Sequence, residues 1–130
     1  MARISGVLME KGYVHVYMGH NWKYLQTVQG MVLRASGAGF VVGFYSFDKD
    51  YTDINDLTDR LPGLRVLNDI WQDISPLGMI ILHDCDLADE ADLQKFLADK
   101  PPDIEVVLCG ATFSEDVLAM ADLVSEIISL

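Results

Sequence analysis

Residues 13–47 of the chain, YVHVYMGHNWKYLQTVQGMVLRASGAGFVVGFYSF, decide the fold. Their pattern predicts an apolar strand over Tyr13–Met18, a helix from about Trp22 to Ser36 and a second strand over Phe40–Tyr45. The glycines of Gly37–Gly39 end the predicted helix, because glycine accepts the left-handed conformation of a helix end. A strand, a crossover helix and a strand form a βαβ unit, so the two strands are predicted to be parallel.

The loop between the first strand and the helix is the first candidate for a ligand site. It leads into a helix N-terminus, where free backbone N–H groups favour anions. The candidate nucleotide- or anion-binding residues are Gly19, His20, Asn21, Trp22, Lys23, Tyr24 and Leu25. A working P-loop needs several glycines, a lysine and a serine or threonine hydroxyl. Of the glycines, this loop has only Gly19. The alternative interpretation is therefore an ordinary strand-to-helix turn filled by aromatic side chains.

The remaining sequence predicts further strands and helices of an α/β protein. A short helix is predicted over Ile54–Leu61, strands over Leu64–Leu67, Leu77–Leu82, Ile104–Cys109 and Leu123–Leu130, and helices over Glu90–Ala98 and Glu115–Ala121. The segment Met1–Lys11 predicts a short strand or an arm. Gly30 is unfavourable inside a helix, so we expect a close approach of helix and sheet there. The sum is a single domain over residues 1–130, an open, mostly parallel sheet of about six strands with helices on both faces.

Ligands of open α/β sheets bind at the carboxyl ends of the strands. Four segments are expected to gather at that edge, namely Gly19–Leu25, Phe47–Lys49, His83–Asp86 and Cys109–Thr112. His20, His83, Cys85 and Cys109 are candidate metal ligands there, because two imidazoles and two thiolates suit tetrahedral zinc. The alternative interpretation is a polar strand end, with Asp84 or Asp86 capping the next turn and both cysteines buried as small apolar residues.

Composition and charge narrow the function classes. The net charge is −11 and the isoelectric point is near 4.3, so the field of the chain repels nucleic acid and anionic membranes. No apolar run reaches the roughly 18 residues of a membrane span, and the N-terminus has no signal-peptide pattern. Two cysteines do not form a disulfide framework, so we expect a reducing cytoplasm.

Several stretches resemble the P-loop ATP:corrinoid (cobalamin) adenosyltransferases. Gly19 falls on the first glycine of a GNGKGKTT loop, and Leu33–Gly39 falls on the helix end L-R-A-x-G-x-G. Ser46–Phe47 falls on a strand end Q-F, and Pro101–Gly110 and Ala121–Ile127 are similar to the end of these enzymes. The resemblance implies a P-loop NTPase-like (RecA-like) fold, with MgATP and a corrinoid as ligands and transfer of adenosyl from ATP to cobalt.

The chain departs from this family at the residues of the chemistry. Tyr24 stands at the phosphate-binding lysine position, and Leu25 stands at the position of the hydroxyl that binds Mg²⁺. His83 and Asp84 fall on a strand end V-L-D-E, whose carboxylates hold the Mg²⁺ site, and a neutral imidazole is a poor ligand for this hard ion. We therefore expect a non-catalytic relative that binds a corrinoid or nucleotide weakly, or assembles with itself or a partner. The alternative is an active adenosyltransferase that binds ATP through helix amides and Lys23.

A group of aromatic residues lies on or near the same predicted edge. Its members are Trp22, Tyr24, Phe44, Tyr45, Phe47, Tyr51 and Trp71. If exposed, these rings could stack on a corrinoid or an adenine ring. Separately, His20, His83 and the two cysteines could hold the cobalt of a corrinoid from its lower side. The interpretation we favour is that most of these rings belong to the core and fill the volume that a nucleotide takes in the enzyme.

Overall fold

The computed structural model describes residues 12–19, 24–51, 53–56, 58–61, 63–71, 74 and 76–126. The strands are β1 (Val14–Met18), β2 (Val42–Ser46), β3 (Leu64–Val66), β4 (Met79–His83), β5 (Glu105–Gly110) and β6 (Leu123–Glu126). The α-helices are α1 (Tyr24–Gly37), α2 (Glu90–Asp99) and α3 (Glu115–Ala119), and 3₁₀ turns occupy Asp53–Asp56 and Cys85–Leu87.

The strands form one open sheet in the order β3-β2-β4-β5-β1-β6, and every pair of neighbours is parallel. This confirms the predicted α/β fold and is consistent with a P-loop NTPase-like architecture. The two strands of the opening βαβ unit are parallel as predicted, but β4 and β5 lie between them. The connection through α1 therefore crosses two strands before the chain returns to the sheet.

Alternate residues of the central strands enter two separate cores, one on each face of the sheet. Ile81 and Val107 pack on the face covered by α1, together with Met31, Val32 and Ala35 of that helix. The opposite core holds Ile80, Leu82, Val106 and Leu108 with Leu93, Phe96 and Leu97 of α2 and Val117 of α3. All five residues of β4 are buried, as expected of a strand covered on both faces. The prediction of helices on both faces is confirmed.

Helix α1 ends in the way its glycines predict. The amide of Phe40 donates to the carbonyl of Ala35 at 2.9 Å, and the amide of Gly39 donates to that of Ser36 at 3.0 Å. With Gly39 at φ +88°, this is a Schellman ending. The expectation for Gly30 was wrong: among the described residues, a Cβ there would meet the Arg34 Nη1 atom at 3.7 Å and no sheet atom.

Several element boundaries differ from the sequence expectation. The helix predicted over Ile54–Leu61 is a single 3₁₀ turn, Asp53–Asp56, and His83 is the last residue of β4 rather than the residue after it. Helix α3 ends at Ala119 instead of Ala121. The expectation for Met1–Lys11 and the end of the last predicted strand, 127–130, lie outside the described residues.

Candidate functional site

The carboxyl ends of the strands bring the predicted segments together. The amide of Gly19, directly after β1, donates to the carbonyl of Gly110 at the end of β5 at 3.1 Å. The amide of Phe47, after β2, donates to the carbonyl of His83 at the end of β4 at 2.9 Å. The described parts of all four segments therefore lie on one edge, and we call this region the strand-end site.

Four of the predicted loop residues, His20, Asn21, Trp22 and Lys23, lie outside the described residues. Gly19 is buried at the end of β1, and the backbone of Tyr24 and Leu25 begins α1. The N-terminus of a 14-residue helix is thus at the strand-end site, as a βαβ unit requires.

His83 belongs to the interior of the strand-end site. Its side chain is 2 % exposed, and its Nδ1 atom lies 2.7 Å from the hydroxyl oxygen of Ser46. Its ring packs on Tyr51 and Phe44, with centroid distances of 4.2 and 5.5 Å. The same Ser46 hydroxyl accepts the amide of Asp48 at 3.1 Å. The imidazole therefore joins two neighbouring strands and fills an aromatic cluster at their ends.

Asp84 follows in a left-handed backbone conformation, with φ 58° and ψ 51°. Such a conformation is uncommon outside glycine, although aspartate tolerates it better than most residues. Burial raises the pKa of the Asp84 carboxyl, and the carboxylates of Asp48 and Asp86 raise it further. The strand-end site thus gathers three carboxyl groups, and the central one belongs to a residue with a left-handed backbone.

Asp86 has a structural role that the sequence analysis missed. Its Oδ2 atom accepts the amide of Ala111 at 2.7 Å, and its Oδ1 atom accepts the amide of Thr112 at 3.1 Å. It therefore ties the loop after β4 to the loop after β5. The expectation that Asp84 or Asp86 caps the next turn was wrong, because Asp84 makes no side-chain cap bond and Asp86 binds the other loop.

Both cysteines lie in the interior. Cys85 and Cys109 are free and buried, and the Cys85 thiol donates to the carbonyl of Leu82 at 3.3 Å. Burial raises the pKa of both thiols, so they stay protonated at neutral pH. Within the described ranges, no three His, Cys, Asp or Glu side chains come together as metal ligands. His20 lies outside those ranges, so the metal site of His20, His83, Cys85 and Cys109 stays a prediction.

Of the predicted aromatic group, the side chains of Trp22 and Tyr24 lie outside the described part of the structure, and four of the other five pack in or against the cores, as favoured from the sequence. Phe44 is buried, and Tyr45, Phe47 and Tyr51 are partly buried against the two cores. Trp71 is 45 % exposed, with one edge against Phe96 at a centroid distance of 5.2 Å. The described rings near the strand-end site are thus packed against the two cores rather than arranged as an open stacking platform.

Comparison with known proteins bears on the second half of the chain. Residues 78–130 match the family model of the ATP:corrinoid adenosyltransferase BtuR/CobO/CobP. The resemblance inferred from the sequence is confirmed for these residues, about two fifths of the chain. No curated protein matches the chain. In the part that the structure describes, no helix is long and apolar enough to span a membrane.

The segment similar to the corrinoid adenosyltransferases runs from the residue before β4 to the chain end. It contains the His83–Asp84 strand end, the hydrogen bonds from Asp86 to the loop after β5, and the whole of β5, α3 and β6. The loop after β1 lies before the matched segment, so the family match does not include it. The family similarity and the described geometry therefore overlap at the acidic end of the strand-end site.

Proposed function

We propose that this chain is a corrinoid adenosyltransferase-like protein that does not transfer adenosyl. It would bind a corrinoid or nucleotide weakly, or assemble with itself or a partner, in corrinoid metabolism. The observation that carries the proposal is the burial of His83 at the position where the family resemblance has a carboxylate. An imidazole held by Ser46 and packed on Tyr51 is not a ligand that Mg²⁺ selects.

The neighbouring groups support the same proposal. Asp84 is the carboxyl left from the family pattern, and its pKa is raised by burial and by two other carboxylates. A raised pKa means that charge there is disfavoured while no cation is bound. At the loop after β1, Tyr24 and Leu25 replace the lysine and the hydroxyl that a working P-loop needs. Both halves of a magnesium triphosphate site are thus altered in the same chain.

The alternative proposal is an active adenosyltransferase with an atypical loop. Its support is the N-terminus of α1 at the strand-end site, which offers amide donors to a phosphate. Lys23 would then supply the positive charge that Tyr24 does not. This proposal needs ATP bound tightly enough to act despite a net charge of −11.

A thermal melt with and without saturating MgATP separates the two proposals. A ligand at about 100 times its dissociation constant stabilises a protein by roughly 2.7 kcal/mol. For a domain of this size that is a rise of several degrees in Tm. We expect no magnesium-dependent rise, with MgCl₂ alone and ATP with EDTA as matched controls. A rise that requires both ATP and Mg²⁺ would favour the active enzyme.

A transfer assay completes the test. The protein is incubated with ATP and reduced corrinoid, and adenosylated product is sought by mass spectrometry. We expect no product above the protein-free control. Product that disappears in Lys23→Ala would establish the alternative. Corrinoid binding without ATP can be measured through the quenching of protein fluorescence. Such binding would show which ligand the non-catalytic protein holds.

Assembly and location form the last part of the proposal. A homo-oligomer is testable by sedimentation velocity over a range of protein concentrations. A cytoplasmic location agrees with two free cysteines, because reducing compartments keep thiols unpaired. We expect no binding to nucleic acid or anionic vesicles, given the strongly negative charge.

A further inference from the structure

A cavity whose lining residues all lie outside the strand-end site is found under the C-terminal half of α1. It has a volume of about 280 Å³ and lies between the helix and the strands β1, β4 and β5. The residues that matter for its chemistry are His15, Tyr17, Arg34, Met79, Glu105 and Val107. We call this space the α1 cavity. Its size is at the small end of the range for ligand sites, so it suits a small molecule.

Two opposite charges line the α1 cavity without neutralising each other directly. Burial raises the pKa of the Glu105 carboxyl, and the Arg34 guanidinium opposes that rise, so the two groups interact across the space. In the described part of the chain they do not form an ion pair. The Nη1 atom of Arg34 lies 3.7 Å from where a Cβ on Gly30 would be, so the guanidinium lies back along the helix. Both groups line the same cavity, so a molecule bound there can contact both.

The other walls of the α1 cavity are neutral. The rings of His15 and Tyr17 stack at a centroid distance of 4.1 Å, and the His15 Nε2 atom lies 3.0 Å from the Ser125 hydroxyl oxygen. Burial lowers the pKa of His15 and raises the pKa of Tyr17, so both rings are uncharged at neutral pH. Met79 and Val107 supply an apolar floor. One positive group and one negative group thus stand beside an apolar surface.

We propose that the α1 cavity binds a small zwitterion with an apolar side chain, of the chemical class of the aliphatic α-amino acids. Its carboxylate pairs with Arg34, its ammonium pairs with Glu105, and its side chain lies against Met79 and Val107. A simple anion leaves Glu105 without a partner and is repelled by the net charge of −11. A simple cation leaves Arg34 unused, whereas a zwitterion satisfies both groups and carries no net charge. This site is independent of the corrinoid and nucleotide proposals.

The methionine methyl groups provide a direct readout of the site. With ¹³C-methyl-methionine labelling, the signals of Met31 and Met79 report the cavity, and Met120, beside α3, is the internal control. The probes are L-leucine, 4-methylpentanoate, which lacks the ammonium, and 3-methylbutylamine, which lacks the carboxylate. We expect L-leucine to shift the Met31 and Met79 signals saturably and to leave Met120 unchanged. Each truncated probe should bind at least about tenfold more weakly, because it loses one charge-assisted contact.

Charge-removing variants test which residue binds the carboxylate of the ligand and which binds its ammonium group. Arg34→Gln should abolish the preference for L-leucine over 3-methylbutylamine, and Glu105→Gln should abolish the preference over 4-methylpentanoate. Arg65→Gln and Glu115→Gln change exposed charges on β3 and α3 and should leave the affinity unchanged.

The proposal is overturned if L-leucine shifts neither cavity methyl near its solubility limit, or if all three probes bind with equal affinity. Unchanged affinity in both cavity variants would overturn it as well. Thermal melts of each variant verify folding. If a variant does not fold, the three probes on the unaltered protein still decide.

Discussion

Replacing His83 by aspartate tests whether the strand-end site can hold a family-like carboxylate. His83→Asp removes a hydrogen bond to Ser46 and a ring that is 2 % exposed against Tyr51 and Phe44. It also introduces a carboxylate beside Asp84, where burial already disfavours negative charge. We therefore expect a folded but strongly destabilised protein.

The magnitude follows from these contacts. A hydrogen bond of this kind contributes about 1 kcal/mol, and truncating a buried ring loses about 2–4 kcal/mol of packing. These two losses sum to about 3–5 kcal/mol, and a buried carboxylate without a cation adds to them, so the total loss is at least about 3–5 kcal/mol out of the 5–15 kcal/mol typical of a domain. The companion variant His83→Phe keeps a ring and loses the hydrogen bond, so it should lose only about 1–2 kcal/mol.

Urea unfolding followed by far-ultraviolet circular dichroism measures both variants, with and without MgCl₂. The difference between them isolates the ring and the introduced charge from the hydrogen bond. Asp84→Asn serves as a control for a change of charge without a change of packing. The slope of the transition should be the same in all three proteins, since the surface exposed on unfolding is similar.

The reasoning is refuted if His83→Asp loses less than about 1 kcal/mol in the absence of Mg²⁺. It is equally refuted if Mg²⁺ restores the lost stability, because the site would then have room for a carboxylate and a hydrated cation. Either result would remove the main support for a non-catalytic protein.

Three further predictions follow from other parts of the fold. Gly12 and Gly39 both have positive φ, but a Cβ on Gly12 would clash with the carbonyl oxygens of Pro102 and Ile104 before β5, whereas a Cβ on Gly39 would meet none of the described residues within 4 Å. Gly12→Ala should therefore lose about 1–3 kcal/mol more in urea than Gly39→Ala, and equal losses would contradict the contact. Burial raises the folded-state pKa of Glu105, so its charge destabilises the fold above the ordinary carboxyl pKa. Glu105→Gln should raise Tm at pH 7 and have little effect below pH about 4. An unchanged Tm at pH 7 would show that burial of the Glu105 carboxylate does not lower the stability of the fold. Cys85 and Cys109 should react with a thiol reagent only as fast as the protein unfolds, whereas immediate reaction of either thiol in buffer would contradict their burial.

The element types were predictable because the strands are short apolar runs between turn residues. The apolar run Leu77–Leu82 predicted a strand, and β4 is one that is buried on both faces, with β2 and β5 beside it. The strand order was not predictable, since hydrophobic pattern reports which faces are buried and not which strands are neighbours. This is why the separation of β1 from β2 by two strands had no sequence signal.

The site was predictable in position and less so in its contacts. The alternation of strand and helix placed the loop after β1 and the His83–Asp84 pair on one edge. The bond from Asp86 to the next loop and the left-handed backbone of Asp84 depend on long-range geometry and left no local pattern. Glu105 was overlooked because it opens a strand that otherwise reads as apolar, and Arg34 was taken only as part of a helix end.

The position of β1 between β5 and β6 also determines when this strand can fold during synthesis. Val14 pairs with Val106, and His15 pairs with Leu123, so each partner is made about 90 to 110 residues later. At translation rates of about 5–20 residues per second, β1 waits for roughly 5–20 s before a neighbouring strand exists. During synthesis β1 is thus an apolar strand whose two pairing edges stay unprotected for seconds. A chaperone that protects β1 would act in that interval.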